Sequence, residues 1–312
     1  MKAGLALLCT VLALVSLALG PVDLAALWAR DPDLAQTLFL ELRLPRAGLA
    51  LAIGAGLGAS GAAAQALFRN PLASPDVLGP SSGAALGAVL AGYFVGAGVI
   101  GMAIGGLAGA GLSLLLLLAL AGRGAGATRL VLAGVAVSML LGVAINLALS
   151  LAPSPFALYD LMFWLMGGLN DRSLPQLALA VPLIGLGIAL LLRAGPALDA
   201  LALGEEVAQS LGVGPREVQV RVVIGIALAT GAGVAVAGSI GFIGLIVPHL
   251  VRPFVGHRPG AAIAPAALAG AALLTAADIA VRMMPDGLDL RLGVLTALIG
   301  APFFLVLIMG RR

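Results

Sequence analysis

Polar residues come in short clusters along this chain, and the runs between them are almost wholly apolar. A helix needs about 20 apolar residues to cross the roughly 30 Å hydrocarbon core of a bilayer. Ten such segments can be placed, at 3–20, 47–67, 82–100, 102–121, 129–151, 174–192, 221–238, 241–256, 261–281 and 292–309. The seventh and eighth join almost without a break, so eight or nine spans also fit the pattern. The connections 21–46, 152–173 and 282–291 fall on one side, and the largest on the other is 193–220. None resembles a separate soluble domain. The expectation is an all-α, polytopic membrane bundle of about ten transmembrane helices, forming a single domain over residues 1–312.

Composition sharpens this reading. Apolar residues make up 61% of the chain and charged residues only 10%, against about 25% charged in soluble proteins. So little charge cannot cover a water-facing surface, so lipid must be the solvent for most of it. The net charge of +3, without a basic run interleaved with aromatics, argues against nucleic acid. The single cysteine, Cys9, excludes an intrachain disulfide. The single lysine, Lys2, is followed by Ala3 and Gly4, so the chain has no P-loop of its own.

The first segment, with a basic start and an apolar stretch, resembles a secretory signal peptide. No clear small-x-small cleavage site precedes Pro21, and a retained first helix is expected. With the N-terminus placed inside and the spans alternating, eleven Arg and Lys fall inside and six outside. That bias predicts both termini in the cytoplasm and an even number of spans.

Glycine and alanine dominate the spans, as in 52–66 and 225–241. Lipid offers helices little hydrophobic reason to associate, so close backbone approach at small residues must supply much of the packing. A faint similarity links 58–72 with 235–250: each has a small-Gly pair, apolar residues, then Pro and a polar residue. The two parent helices run in opposite directions in the assigned topology, which is the pattern of an inverted repeat.

Candidate chemistry is sparse. Arg43 and Arg46 flank Leu44-Pro45 at the outer end of the second span. Their spacing puts them on one helical face if a helix begins there, and Pro45 suits a first turn. Arg282 ends the ninth span, one turn from Asp278, so a structural ion pair is the stronger reading of that acid. Snorkelling to lipid headgroups is the alternative reading of all three arginines. In the inner connection, Glu205 and Glu206 follow Gly204 as the acids of a short helix's first turn. Val207, Ala208 and Leu211 would give that helix an apolar side, and Gly212 and Gly214 can end it. His249 and His257 are read as structural rather than as ligands, so no metal site and no cofactor are expected. Phe163 and Trp164 read either as interface aromatics or as residues facing a substrate path. No paired acids or nucleophile–base pair in the spans suggests an intramembrane enzyme.

Longer strings are more specific. They are the run from RLPRAG through GPSSGAALGAVL (43–89), MFWLMGGL (162–169), LALGEEVAQSLGV (201–213), GSIGFIGLIVPHLVRPFVGHR (238–258), AGAALLTAADIAVR (269–282) and LGVLTALIGAPFFLVLI (292–308). In order and spacing they resemble the permease family of bacterial ABC importers for ferric siderophores, haem and cobalamin. The resemblance implies ten transmembrane helices and a homodimer around one central path. It also implies two cytoplasmic ATPase subunits, a periplasmic substrate-binding protein and a place in the inner membrane. By the same resemblance Arg43, Arg46 and Arg282 would meet glutamates of the binding protein. The segment with Glu205, Glu206, Ser210, Leu211 and Gly212 would be the coupling element seated on the ATPase. The implied cargo is an iron complex, a ferric siderophore or haem. Alternatives are cobalamin import within the same family, or an ion-coupled secondary transporter, for which only Asp278 approaches a midplane acid.

Overall fold

The computed structural model describes residues 1–20, 22–122, 126–285 and 290–309; Arg123, Arg311 and Arg312, counted in the inner charge, lie outside them. Every regular element among the described residues is helical. In chain order these are α1 (Lys2–Ala18), α2 (Leu24–Arg30), α3 (Pro32–Leu38), α4 (Leu44–Leu67), α5 (Pro80–Val89), α6 (Gly98–Ala121) and α7 (Ala127–Ser150). They continue with α8 (Pro155–Leu165), α9 (Leu174–Ala202), α10 (Glu205–Ser210), α11 (Pro215–Ala237), α12 (Ile243–Val251), α13 (Pro259–Arg282) and α14 (Leu292–Met309).

Six of the described helices are long and apolar enough to cross a membrane: the continuous stretch Pro32–Leu67, then α6, α7, α9, α11 and α13. The segments expected at 3–20, 241–256 and 292–309 are met by shorter apolar helices. The segment expected at 82–100 is α5 followed by a π turn over Leu90–Phe94.

Three local differences from the sequence expectation have plain causes. The connection 21–46 is not a loop. Asp23 caps α2, accepting from the N–H groups of Ala25 and Ala26; Asp31 caps α3, accepting from that of Leu34; and Pro32 opens α3. Pro45 does lie in the first turn of α4, but a π turn, Phe39–Arg43, joins α3 to α4 without a break. Its extra residue relieves the clash and the missing donor that Pro45 would bring to a regular helix. The connection 152–173 holds α8, capped by the Ser154 hydroxyl and opened by Pro155.

The bundle is organised from α4 and α11 outward. About four-fifths of the apolar window of each is buried, against 17% in α7, whose Leu132, Met139, Leu140, Val143 and Leu147 point outward. An apolar exterior of this kind suits lipid. Glycines set the helix contacts. Added side-chain carbons at Gly54 and Gly58 of α4 would overlap the backbone of Gly270 and Ala266 in α13. A step of four forward along α4 matches a step of four back along α13, so the two helices run antiparallel. Gly83 and Gly87 of α5 meet Gly109 and Gly105 of α6 in the same way. These are small-xxx-small seams, and the absent side chains let backbone touch backbone. The two segments of the suspected repeat also touch, since Gly61 of α4 packs on the Gly244 carbonyl of α12.

Between α11 and α12 the chain unwinds over 238–242, with Gly238 and Phe242 left-handed (φ 72° and 67°). Unwound backbone at membrane depth survives only when enclosed by protein. Here the Gly168 N–H donates to Ala237 O at 2.8 Å, and Gly293 packs against the carbonyls of Met166 and Ser239. The strings MFWLMGGL, GSIGF and LGVLT therefore meet in one glycine-lined junction. Beside it, the Arg291 guanidinium lies 4.8 Å from the centre of the Phe163 ring, which gives that aromatic a cationic partner.

Candidate functional site

Two places on the bundle collect polar chemistry, one at each end. The first lies where the end of α1, the π turn, the start of α4 and the end of α13 come together. Asp278, 1% exposed, receives the Arg46 guanidinium in forked fashion: Nε at 3.0 and 3.1 Å and Nη2 at 2.9 Å. Arg282 approaches the same carboxylate from the next turn, its Nε 3.2 Å from Oδ2. The ion pair with Arg282 is the one the spacing suggests. Arg46 is the partner that the sequence does not reveal, because it lies on another helix.

Arg43 and Arg282 also reach back to α1. Arg43 donates to the carbonyls of Leu17 (2.9 Å), Ala18 (2.6 Å) and Val22. Arg282 donates to the carbonyls of Ser16 (2.9 Å) and Leu19 (3.1 Å) and to the Ser16 hydroxyl. The last carbonyls of a helix lack partners within it, and two guanidinium groups here supply them. All three arginines line one cavity of about 460 Å3, together with Asn170, Asp171 and Leu290. The structure thus brings Arg43, Arg46 and Arg282 to a single site, in which each already has protein partners.

The second place is at the opposite end. Glu205, Glu206 and Ser210 form α10 with Val207, Ala208 and Gln209, behind Gly204 at φ 124°. The helix closes in a glycine cap: Val213 N–H donates to Ala208 O, Gly212 N–H donates to Gln209 O, and Gly212 sits at φ 78°. Ala208 is buried against the bundle, whereas Val207 is 43% and Leu211 62% exposed. A one-turn helix thus turns two aliphatic side chains outward beside two carboxylates. A helix this short has little stability of its own, so its cap and the buried Ala208 fix its position. The sequence connection expected at 193–220 is shorter in fact, because α9 continues through Arg193 and Pro196 to Ala202.

Neighbouring polar contacts tie this end together. Asp199 accepts the Gly260 N–H (2.7 Å) and pairs with Arg258 (3.2 Å). Arg252 donates to Gln65 Oε1 (2.9 Å), Gln65 donates to Leu245 O (3.3 Å), and Arg69 donates to Leu201 O. Sequence reasoning passed over Gln65 and Asp199; a lone amide in an apolar span was the signal available. His249 packs edge-on against Phe303, ring centres 5.9 Å apart. Among the described residues no group of three His, Cys, Asp or Glu side chains is placed to hold a metal.

Residues 5–310 match the FecCD transport family. The hemin transport system permease protein HmuU of Yersinia pestis is 38% identical over 325 residues, covering 99% of this chain and 95% of that protein. The cobalamin import system permease protein BtuC of Halobacterium salinarum is 39% identical over 285 residues, covering 90% and 76%. A solved structure in an inward-facing conformation, assigned provisionally to the metal-chelate type of ABC transporter, superposes with a TM-score of 0.90. That superposition covers 99% of this chain and 98% of the other at 32% identity. A match of this extent in family, sequence and architecture makes the chain a member of the FecCD transport family, a permease subunit of an ABC importer.

Proposed function

We propose that this permease passes an iron complex, a ferric siderophore or haem, across the inner membrane by alternating access. Cobalamin is the second reading, favoured by the similarity to the Halobacterium salinarum protein. The observation that carries the first is the near full-length similarity to the hemin permease, with 95% of that protein covered. The working unit is a homodimer of this single transmembrane domain, each copy with about ten membrane-crossing segments arranged as inverted repeats and both termini in the cytoplasm. The inner-end arginines and the short apolar helices support that reading. Two ATPase subunits supply the energy and a periplasmic binding protein delivers the cargo. The test of cargo is the ligand retained by the binding protein encoded beside this chain, read by mass spectrometry after purification. A siderophore or haem supports the proposal, and a corrinoid moves it to the second reading.

Coupling to the ATPase runs through α10. Its outward Val207 and Leu211 suit an apolar cleft, and Glu205 and Glu206 suit a cationic rim around it. ATP-driven movement of that cleft would tilt α9 and α11, to which α10 is joined by short turns. Changing Val207 and Leu211 together to Asp should abolish co-purification of the ATPase while leaving the permease monodisperse in detergent. Undiminished co-purification would argue against this contact.

Docking of the binding protein is assigned to the cavity of Arg43, Arg46 and Arg282. Reversing the charge of Arg46 would confront Asp278, so Arg46→Lys is the cleaner probe: it keeps the charge and loses the fork. Binding-protein affinity should fall about tenfold: Nε and Nη2 are engaged by Asp278, and a lysine there has no further guanidinium nitrogen to offer an incoming carboxylate. Equal affinity for both forms would remove Arg46 from the docking surface.

A further inference from the structure

A cavity of about 300 Å3 opens at the same end as α10, between α4, α12 and α13. Its charged and titratable lining consists of Arg69, Arg252 and His257, with Gln65 beside them and no carboxylate among the lining residues. The nearby acid Asp199 is held by Arg258 and the Gly260 N–H. Pro259 and Ala262, in the first turn of the 24-residue α13, complete one wall. The positive end of that helix dipole therefore adds to the side-chain charge.

The backbone explains how two of these cations come together. Only four non-glycine residues among those described have positive φ, and two of them, Arg69 (48°) and His257 (59°), line this cavity. Arg69 stands at the position that ends α4: its N–H donates to Ala66 O, and Asn70 N–H donates to Gln65 O. Glycine or asparagine is the usual occupant there. His257 likewise follows left-handed Gly256 at the end of a helical turn, its N–H donating to Arg252 O, so two helix endings present their cations to one cavity.

We propose that this cavity binds a phosphate group, held by Arg69, Arg252 and His257 at the mouth of the bundle. Guanidinium groups match phosphate oxygens in forked geometry, and the opening is larger than one water needs by roughly tenfold. A phosphate at this site could come from an anionic phospholipid headgroup or from soluble phosphate. An acidic surface of the ATPase is the competing occupant, and the ATPase-binding readout below separates the two.

The test uses the full chain in detergent and the double variant Arg69→Asn, His257→Asn. Asparagine accepts left-handed backbone, so these changes remove charge while relieving strain. Native mass spectrometry reads retention of phosphatidylglycerol against phosphatidylcholine, with and without added inorganic phosphate; thermal melting confirms that the variant is folded. The wild type should prefer phosphatidylglycerol, and the variant should lose that preference about tenfold or more. Persistence of the preference in millimolar phosphate assigns the site to lipid. Displacement by phosphate, with phosphate binding lost in the variant, assigns it to the soluble anion. Either result supports the site. Equal retention by wild type and variant, with no phosphate binding to either, overturns it. So does a variant that binds both ligands normally but no longer binds the ATPase, because the cavity would then hold a protein carboxylate.

Discussion

Replacing Asp278 with alanine should unfold the end of the bundle where α1, α4 and α13 meet, at a cost of about 3–5 kcal/mol. The carboxylate is 1% exposed and is shared by Arg46 and Arg282, which are 19% and 11% exposed. Removing it leaves two guanidinium groups facing one another with little water. Arg282 would then leave its place beneath Ser16 and Leu19, and α1 would lose part of its cap. The expected result is a large fall in the thermal midpoint of the detergent-purified protein. Asp199→Ala is the comparison. Its partner Arg258 is 71% exposed and its other partner is the Gly260 N–H, so its loss should cost only about 1–2 kcal/mol. Equal midpoints for the two variants would contradict the claim that Asp278 anchors this end.

The second large effect is expected at Gly61. A side chain there meets the carbonyl oxygen, carbon and Cα of Gly244, which are backbone atoms unable to rotate away. Core overpacking ordinarily costs about 1–3 kcal/mol, and more when backbone must move. Gly61→Leu should therefore separate α4 from α12 and yield aggregated protein on gel filtration in detergent. Gly142→Leu is the matched control: nothing lies within 4 Å of its added carbon, and it should behave as wild type. A monodisperse Gly61→Leu protein would mean that the α4–α12 seam is loose.

How far the fold was legible depended on the physics behind each feature. Apolar length located α4, α6, α7, α11 and α13 well, because lipid leaves a backbone few options there. It missed α2, α3 and α8, which are too short to register as spans. Their signals were present as Asp23, Asp31-Pro32 and Ser154-Pro155, each an N-cap or a first-turn proline. The Asp278–Arg282 pair was readable from its spacing along one helix. The share taken by Arg46, 232 residues distant in sequence, was not. The partners of Arg43 are backbone carbonyls, which carry no residue signature at all. Small-residue spacing in α4, α5 and α6 announced close packing, but not which seam each glycine belongs to. For α10, the helix and its residues were in the sequence, but Val207, Ala208 and Leu211 do not share the one apolar side expected of them. The burial of Ala208, which turns Val207 and Leu211 outward, needed the structure.

These features join into one account. The bundle is rigid at the α1 end through a buried charge cluster, and it carries a short, capped, outward-facing helix at the other. A partner that grips α10 can move α9 and α11 only if the rest holds together, which the glycine seams and the Asp278 cluster provide. In the proposed mechanism ATP hydrolysis lies outside this chain, so the permease should be inert by itself. The direct measurement is uptake of the cognate chelate into proteoliposomes containing the permease, its ATPase and its binding protein. The account predicts uptake that needs ATP and stops when Val207 and Leu211 are changed to Asp. Uptake by the permease alone on an ion gradient, or full ATP-driven uptake by that double variant, would contradict it.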